Sequence, residues 1–256
     1  MGIRDTIKYF KKTIEVSAVP LAVYAFVHLF GISGVSGLER EVGSIKPNKK
    51  IIQVYEYSPV LNSPKPTDCL HENPLYRNNV IVIDAGHGGK DPGACSGNIR
   101  EKNVNLIMAV YLRDKLVENG YTSVLLTRTN DKYISLEDRV KYGKEHNANI
   151  FLSLHCNSAG GEAGKTANGF EIWAKGNKDL ILGKALEQSY ITATSGKTRS
   201  RGVKKGNYVV LGEKGKDSAS VIVEPFFLSN QKEYERFNIV KLAEGIVKGI
   251  EEYYSH

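Results

Sequence analysis

Only three cysteines, Cys69, Cys95 and Cys156, occur in this chain of 256 residues. They are too few and too far apart for a disulfide framework, and they leave the redox compartment of the protein open. Hydrophobic residues make up 41% of the chain. That share is ample for one sizeable core, with room for an additional tail.

No zinc finger, helix-turn-helix or RNA-binding signature accompanies the basic balance of the sequence. The formal net charge is +7, and the basic residues are scattered, being densest from Ser195 to Lys205. Positive charge suits nucleic acid, an anionic membrane or an anionic polymer, but without a matching motif we predict no nucleic-acid partner. A phosphate-binding loop requires a glycine, four further residues and then Gly-Lys-Ser/Thr. Gly89 and Lys90 do not complete this pattern, because Asp84 occupies the position of the first glycine and Asp91 that of the Ser/Thr.

Charged residues are absent from one long stretch near the amino terminus. Residues 16–38 contain no Asp, Glu, Lys or Arg, whereas residues 1–12 are basic. This layout is typical of a signal peptide or an N-terminal membrane anchor, and the run is long enough to span a bilayer. A buried helix of a soluble protein is the alternative. We predict that residues 1–38 export the chain and are then either cleaved or retained as a membrane anchor.

The two remaining parts of the chain differ in proline content. Most prolines lie between residues 39 and 79, which predicts an extended linker with one short strand at residues 51–57. From residue 80 to residue 256, short apolar runs alternate with helical patterns, and we predict a single domain there. The runs suit strands buried on both faces of a parallel sheet. These runs are Val80–Ile83, Val124–Leu126, Ile150–Leu154 and Val221–Val223.

Four helical patterns separate or follow these runs. The first ends at Gly120, the second begins at Ser135, and the third spans about Lys178 to Thr194. The last begins at Asn230 with a capping-box-like Glu233 and buries one apolar stripe. That stripe consists of Phe237, Leu242, Ile246 and Ile250. The predicted fold class is α/β, an open, mostly parallel twisted sheet with helices on both faces.

Polar residues follow the predicted strands where such sheets bind ligands, beyond the carboxyl ends. The first strand runs into the loop Asp84–Gly89, which contains His87. His155 follows the third apolar run, Glu224 follows the fourth, and Glu101 opens the first helix. We therefore expect two histidines and two glutamates to converge on one edge of the sheet.

This set of side chains suits a zinc hydrolase. His87, Glu101 and His155 supply two imidazoles and a carboxylate, which zinc binds while keeping a position open for water. Glu224 stands where a general base is needed. Asp84 is a candidate acceptor that orients an imidazole. Any one of these residues alone would be read as an ordinary turn residue, but their joint placement at strand ends favours a metal site.

At these motifs the sequence resembles the zinc-dependent N-acetylmuramoyl-L-alanine amidases. The segments that carry the resemblance include VIVIDAGHGGKDPGA, REKNVNLIMAVYLRDKL, SLEDRVKYGKEHNANIFLSLHCNSA and VIVEPFFLSNQKEYE. The resemblance extends in motif order from residue 80 to the carboxyl terminus. It implies hydrolysis of the amide between N-acetylmuramic acid and L-alanine, and action on the cell-wall side of the membrane with peptidoglycan as partner.

The resemblance also implies roles for individual residues. His87, Glu101 and His155 match the ligands of one zinc ion, and Glu224 matches the catalytic glutamate. Motif positions near the site suggest substrate contacts for Asn157, Arg201 and Asn207.

Three further residues at motif positions carry predictions of a different kind. Arg128 and Arg139 are expected to hold loop carbonyls with their forked donors rather than to act in catalysis. Phe226 stands where relatives commonly have glycine, and we expect it to narrow or reshape the cleft beside Glu224.

Two other functions fit the same fold. A catalytically silent peptidoglycan-binding protein could retain it, although such a protein is expected to have lost at least one of the four site residues. Another zinc amide hydrolase of the wall, a carboxypeptidase or a deacetylase, could use the same chemistry on a different bond. The order of the motifs disfavours this second alternative.

Overall fold

A computed structural model describes residues 75–215 and 217–255 of the chain. The predicted export segment, the short strand predicted at residues 51–57 and nearly all of the predicted linker lie outside these residues and stay predictions. Among the residues that are described, no helix combines the length and the apolar character needed to cross a membrane.

The described residues form eight strands and six α-helices, together with 3-10 turns at Leu75–Asn78 and Val209–Leu211. The strands are β1 (Ile81–Ala85), β2 (Cys95–Ser96), β3 (Ile99–Arg100), β4 (Val124–Leu126), β5 (Ile150–Leu154), β6 (Phe170–Ala174), β7 (Ser200–Lys205) and β8 (Ala219–Glu224). The helices are α1 (Glu101–Glu118), α2 (Leu136–Glu145), α3 (Gly161–Gly164), α4 (Asn177–Ala193), α5 (Gln231–Arg236) and α6 (Ile239–Tyr254).

Six of the strands form one sheet in the order β4-β1-β5-β8-β6-β7. The first four in this order are parallel, β6 is antiparallel to β8, and β7 is parallel to β6. The predicted mostly parallel sheet is therefore confirmed. The carboxyl ends of β1, β5 and β8 meet the amino ends of β6 and β7 at one edge, which we call the site edge.

The four strands that the sequence predicted between residues 80 and 256 are all present, whereas β6 and β7 were not predicted. Strands β1, β5 and β8 are buried on both faces and therefore appear as unbroken apolar runs, and the edge strand β4 is a shorter, half-buried apolar run. In β6 the apolar run is interrupted by Glu171, and β7 is a polar edge strand with the sequence SRGVKK. Neither segment carries a continuous apolar signal.

Helices cover both faces of the sheet, as predicted. On one face, Val82, Phe151 and Ile222 pack with Val210 and Leu211 of the second 3-10 turn, next to α2. On the other face, α1 packs on β1 and β4, and α4 packs on β6, β7 and β8. Helix α6 crosses both α4 and α1.

The prediction of one continuous last helix from Asn230 was wrong, because two helices occur there. The chain is extended at Phe237, whose ring packs on that of Phe226 at a centroid distance of 4.5 Å. Asn230 caps α5, and Asn238 caps α6 by accepting a hydrogen bond from the Lys241 backbone. The carboxylate of Glu233 does not return to the cap and instead binds two backbone amides of neighbouring loops.

Candidate active site

The histidine-bearing loop after β1 is held in shape by two buried arginines. His87 has a left-handed backbone with φ of 59°, which few non-glycine residues adopt without support. Arg128 donates to the carbonyls of Ala85 and Gly86 at 2.8 and 2.9 Å. Arg139 donates to the carbonyls of Ala85 and His87, both at 2.9 Å. The predicted structural role of both arginines is confirmed.

Two glycines let this loop approach the other site residues closely. A Cβ atom at Gly93 would lie 2.6 Å from both Glu101 Oε2 and His87 Cδ2. A Cβ atom at Gly86 would collide with the imidazole of His155. Side chains at these two positions would therefore push His87, Glu101 and His155 apart.

The structure brings His87, Glu101 and His155 together at the site edge. Their nitrogen and oxygen donor atoms all lie within 4.8 Å of one another. Oε1 of Glu101 is 3.1 Å from His87 Nε2 and 3.0 Å from His155 Nδ1. The carboxyl group is buried, while both imidazoles are partly exposed and accessible from solvent.

Glu101 is held ionised and fixed in position. Its Oε2 accepts from the Ala94 backbone at 2.8 Å, and its Oε1 accepts from the Cys156 backbone at 3.0 Å. Burial alone would raise the pKa of Glu101, but hydrogen bonds from His155 and His87 and their positive charge lower it below its ordinary value. The carboxylate is therefore prepared to bind a cation.

The spacing of these donors fits a divalent metal ion. Ligand atoms of a tetrahedral zinc ion, each about 2.0–2.1 Å from the metal, stand roughly 3.3 Å apart. Burial lowers the pKa of His87, yet Glu101 and then Asp91 outweigh it and raise the value to about 8. Because a metal needs the neutral imidazole, cation binding must displace a proton from His87, and we expect affinity to rise with pH up to about 8.

Asp91, not Asp84, orients an imidazole, which corrects the prediction for Asp84. Oδ2 of Asp91 lies 2.8 Å from His87 Nδ1. Asp84 is fully buried and accepts from Thr127, Arg139 and Ser153 instead. The chain turns back after the glycines, where Gly88 and Asp91 form a β-bridge. Residue 91 therefore reaches His87, a contact that depends on a turn the sequence did not specify.

We expect Asp91→Ala to weaken zinc binding by about 10- to 100-fold, because the acceptor that orients His87 is lost. The dissociation constant is measured by competition with a zinc chelator. Asp131→Ala is the matched control, since Asp131 binds Gly89 N and Lys102 in the same loop but touches no imidazole. Equal losses in the two variants would mean that only loop structure, not ligand orientation, is affected.

Glu224 lies beside these three residues as the last residue of β8. The His155 backbone donates to Val223 O at 3.0 Å, so His155 and Glu224 follow adjacent strands. Oε2 of Glu224 is buried and has no hydrogen-bond partner among the described residues. Burial, together with the negative charges of Glu101 and Glu171, raises the pKa of Glu224 to about 7 against the opposing effect of both histidines. A carboxyl group of this pKa can both accept and donate a proton near neutrality.

Glu171 is a site residue that the sequence analysis missed. It is buried in β6 and lies directly opposite Glu224 in the antiparallel pair. Its Oε2 accepts from Arg201 Nε at 2.7 Å and from Lys204 Nζ at 2.6 Å. Because β6 itself was not predicted, nothing in the sequence placed this carboxylate next to Glu224.

The three residues predicted to contact substrate lie in different places. Arg201 is anchored by Glu171 near the site edge. The Asn157 side chain, just beyond β5, accepts from the Ser158 backbone at 2.9 Å. Asn207 is exposed and follows the carboxyl end of β7, where Lys205 pairs with Ala174. Since β7 runs opposite to β8, this end of the strand lies at the other edge of the sheet, although burial and then the charges of Glu224 and Glu171 raise the pKa of the adjacent Tyr208.

Phe226 does not narrow the cleft, because its side chain is packed in the core; an effect on the shape of the cleft stays a prediction. Its side chain is only 1% exposed and packs against the rings of Phe237 and Tyr234. Neighbouring Cys156 is also buried, and burial together with nearby carboxylates raises the pKa of its thiol well above the ordinary value. This thiol is packed as a small apolar group and is not an activated nucleophile.

Comparisons with known proteins place these features in context. A model of the N-acetylmuramoyl-L-alanine amidase family matches residues 81–252. The chain is 33% identical over 181 residues to the sporulation-specific N-acetylmuramoyl-L-alanine amidase of Bacillus subtilis (strain 168), a match that covers 67% of each chain.

Solved structures with similar folds carry the same description. The catalytic domain of CwlV, an N-acetylmuramoyl-L-alanine amidase from Bacillus (Paenibacillus) polymyxa var. colistinus, matches with a TM-score of 0.62 and 34% identity, covering 69% of this chain and 98% of that one. The N-acetylmuramoyl-L-alanine amidase from Clostridium difficile 630 matches with a TM-score of 0.63 and 31% identity, covering 70% and 98%.

Proposed function

This chain belongs to the N-acetylmuramoyl-L-alanine amidase family, and on that premise we propose how its own residues act. The reaction is hydrolysis of the amide between N-acetylmuramic acid and L-alanine in peptidoglycan. We propose that His87, Glu101 and His155 hold one zinc ion and that Glu224 transfers the proton. One observation carries the proposal: three donor atoms lie within 4.8 Å of one another next to a glutamate with a buried, unpaired oxygen.

The family is zinc-dependent, and the donor set of this chain fits zinc. Two imidazoles and one carboxylate leave a coordination position free, as hydrolytic zinc sites require. When bound, zinc supplies Lewis acidity toward a carbonyl oxygen and lowers the pKa of water. Asp91 fixes the orientation of the His87 ring, and the backbone amides of Ala94 and Cys156 fix the Glu101 carboxylate.

Glu224 serves as general base and then as general acid. As a carboxylate it takes a proton from the attacking water, and as a carboxylic acid it delivers that proton to the leaving amine of L-alanine. Its pKa of about 7 keeps both forms accessible near neutrality. Glu171 binds Arg201 and Lys204 and so keeps two cations at this end of the sheet without itself reaching the substrate.

We propose substrate contacts for Arg201, Asn157 and Asn207 from their motif positions and, where possible, from their positions in the structure. Arg201 is the strongest of the three, because Glu171 positions it level with Glu224 and its side chain remains 29% exposed. Asn157 directly follows the metal-site strand but already uses its side-chain oxygen within the loop. Asn207 is proposed only from its motif position.

The products released from peptidoglycan test this function. We expect the full-length protein loaded with zinc to release stem peptides with a free L-alanine amino terminus, detected by amino-terminal labelling and mass spectrometry. Chelation of the metal is expected to stop the release, and added zinc to restore it.

Two other products would contradict the proposal. Free D-alanine would indicate a carboxypeptidase, and acetate a deacetylase. Binding to peptidoglycan without any product, by a protein with stoichiometric zinc, would indicate a silent binding protein.

The place of action follows from the family. Amidases of the cell wall act outside the cytoplasm, and we propose the same for this chain, with residues 1–38 directing its export. Amino-terminal sequencing of the mature protein distinguishes a cleaved signal from a retained anchor.

A further inference from the structure

A cavity of about 970 Å³ lies next to the active site. Pro225 and Phe226, which directly follow Glu224, form part of its wall. None of the three proposed metal ligands lines it, and neither does Glu224. Six basic side chains surround it: Lys165, Lys197, Arg199, Lys232, Arg236 and Lys241.

The one carboxylate that lines this cavity does not balance these charges. Glu233 accepts hydrogen bonds from the backbone amides of Gly169 and Phe227, at 2.6 and 2.8 Å. The Glu233 carboxylate is thus occupied by backbone donors, and it links the loops that contain Gly169 and Phe227. Glu233 makes no ion pair with any cation of the cavity within the described part of the chain.

Two of the six cations have acidic partners outside the cavity. Lys165 pairs with Glu162, and Lys241 pairs with Glu244. The other four make no ion pair with any described residue, and their side chains are exposed. These four, which we call the cavity cations, are Lys197, Arg199, Lys232 and Arg236.

The remaining lining groups suit an anion and not a sugar ring. Ser195 adds a neutral hydroxyl donor, whereas the hydroxyl of Thr194 donates to the carbonyls of Tyr190 and Ile191. The aromatic rings that reach the cavity are buried or packed against each other, so none offers a free face for stacking on a sugar. A single carboxylate is usually bound by one buried, bidentate arginine, whereas separate exposed cations suit a ligand with several anionic groups.

We propose that this cavity binds an anionic polymer of the cell wall, one that carries phosphate or carboxylate groups at short intervals. Such a polymer lies where the substrate lies, and binding it beside Glu224 holds the enzyme at the wall while catalysis proceeds. The glycan strand itself is not the ligand, because the cavity offers it no stacking surface. The proposal concerns binding and is independent of the roles assigned to the metal site.

Binding of two labelled polymers to the full-length protein tests the proposal. Polyglycerol phosphate supplies the phosphate groups and poly-L-glutamate the carboxylates, so the two arms tell which anion is preferred. The cavity variant carries Lys197→Gln, Arg199→Gln, Lys232→Gln and Arg236→Gln. The control variant carries Lys144→Gln, Lys175→Gln, Lys184→Gln and Lys205→Gln, which are also exposed lysines without an ion pair among the described residues and give the same net charge.

We expect the cavity variant to bind at least one polymer about tenfold or more weakly at low salt, and the control variant to stay within about twofold of the wild type. Equal weakening in both variants would reduce the effect to net charge and overturn the proposal, as would unchanged binding in the cavity variant. Hydrolysis of a small soluble muropeptide is measured in parallel. A KM raised by the same factor as the polymer dissociation constant would make the cavity a substrate-peptide site and would also overturn it.

Discussion

Replacing Glu224 with glutamine is expected to lower kcat by about 10²- to 10⁴-fold while zinc stays bound. Glutamine has nearly the same size, but it can neither take a proton from water nor return one to the leaving amine. None of the proposed zinc ligands is altered, so the zinc content is expected to remain stoichiometric. Amine release from peptidoglycan measures the rate, and atomic absorption measures the metal.

Stability separates this loss from unfolding. The folded-state pKa of Glu224 is raised to about 7 from an ordinary value of 4.5, so this group lowers the stability as the pH rises from 4.5 to about 7, and the full loss persists above pH 7. The metal-free Glu224→Gln protein should therefore be more stable than the metal-free wild type at pH 8, by about 1–3 kcal/mol. If Glu224→Gln were less stable than the wild type, its loss of activity would be explained by unfolding. Glu213→Gln, an exposed glutamate, is the matched control and should change neither activity nor stability.

The pH dependence of the wild type gives a second check. Below the pKa of Glu224 the base is protonated, so kcat/KM should fall about tenfold per pH unit. This acid limb of the pH profile is expected to have its midpoint at pH 7 or below, because a bound cation favours the ionised form of Glu224. The residual activity of Glu224→Gln should lack this limb. An unchanged acid limb in the variant would assign the titration to another group.

Replacing Arg139 with methionine is expected to lower the free energy of unfolding by about 3–5 kcal/mol. Arg139 Nη1 lies 2.5 Å from Asp84 Oδ1, with Arg139 3% and Asp84 0% exposed. Removal of the guanidinium leaves a buried carboxylate without its cation, releases the carbonyl of His87 and removes one of the two donors to the carbonyl of Ala85. Urea unfolding measures the effect, and weaker zinc binding is expected from the loosened His87 loop.

A neighbouring ion pair supplies the control. Lys141 and Glu145 lie on the same helix, 3.8 Å apart and largely exposed, so Lys141→Met should change stability by no more than about 0.5 kcal/mol. Asp84→Asn combined with Arg139→Met should recover part of the loss, because the uncompensated charge is gone. A change below about 1 kcal/mol in Arg139→Met alone would contradict a structural role for this pair.

The Asp84–Arg139 pair also sets a direction for acid denaturation. Burial raises the pKa of Asp84, but Arg139 and the hydroxyls of Ser153 and Thr127 outweigh it and hold the pKa below 3.8. The stabilisation by the ionised form is therefore fully present above pH 3.8 and is lost as the pH falls through the lowered value. In Arg139→Met this support is missing, so acid unfolding should begin at a higher pH.

Sequence alone determined the parallel part of the sheet and the set of candidate ligands. Strands β1, β5 and β8 appear as unbroken apolar runs because both faces of a covered parallel sheet are buried, and the half-buried edge strand β4 is apolar as well. Parallel strands end at the same edge, so His155 and Glu224 could be placed together before any contact was known.

The tertiary structure decided what depends on non-local packing. The polar β7 becomes a strand only by pairing with β6, and that pairing places Glu171 opposite Glu224 and anchors Arg201. Asp91 replaces Asp84 beside His87 because a turn reverses the chain, and Phe226 lies in the core because Tyr234 of α5 and Phe237 pack on its ring. The basic cavity combines side chains from loops distant in sequence. The residue pattern of a segment indicates which of its side chains are buried. It does not indicate which other segment packs against it, and the contacts described here depend on that packing.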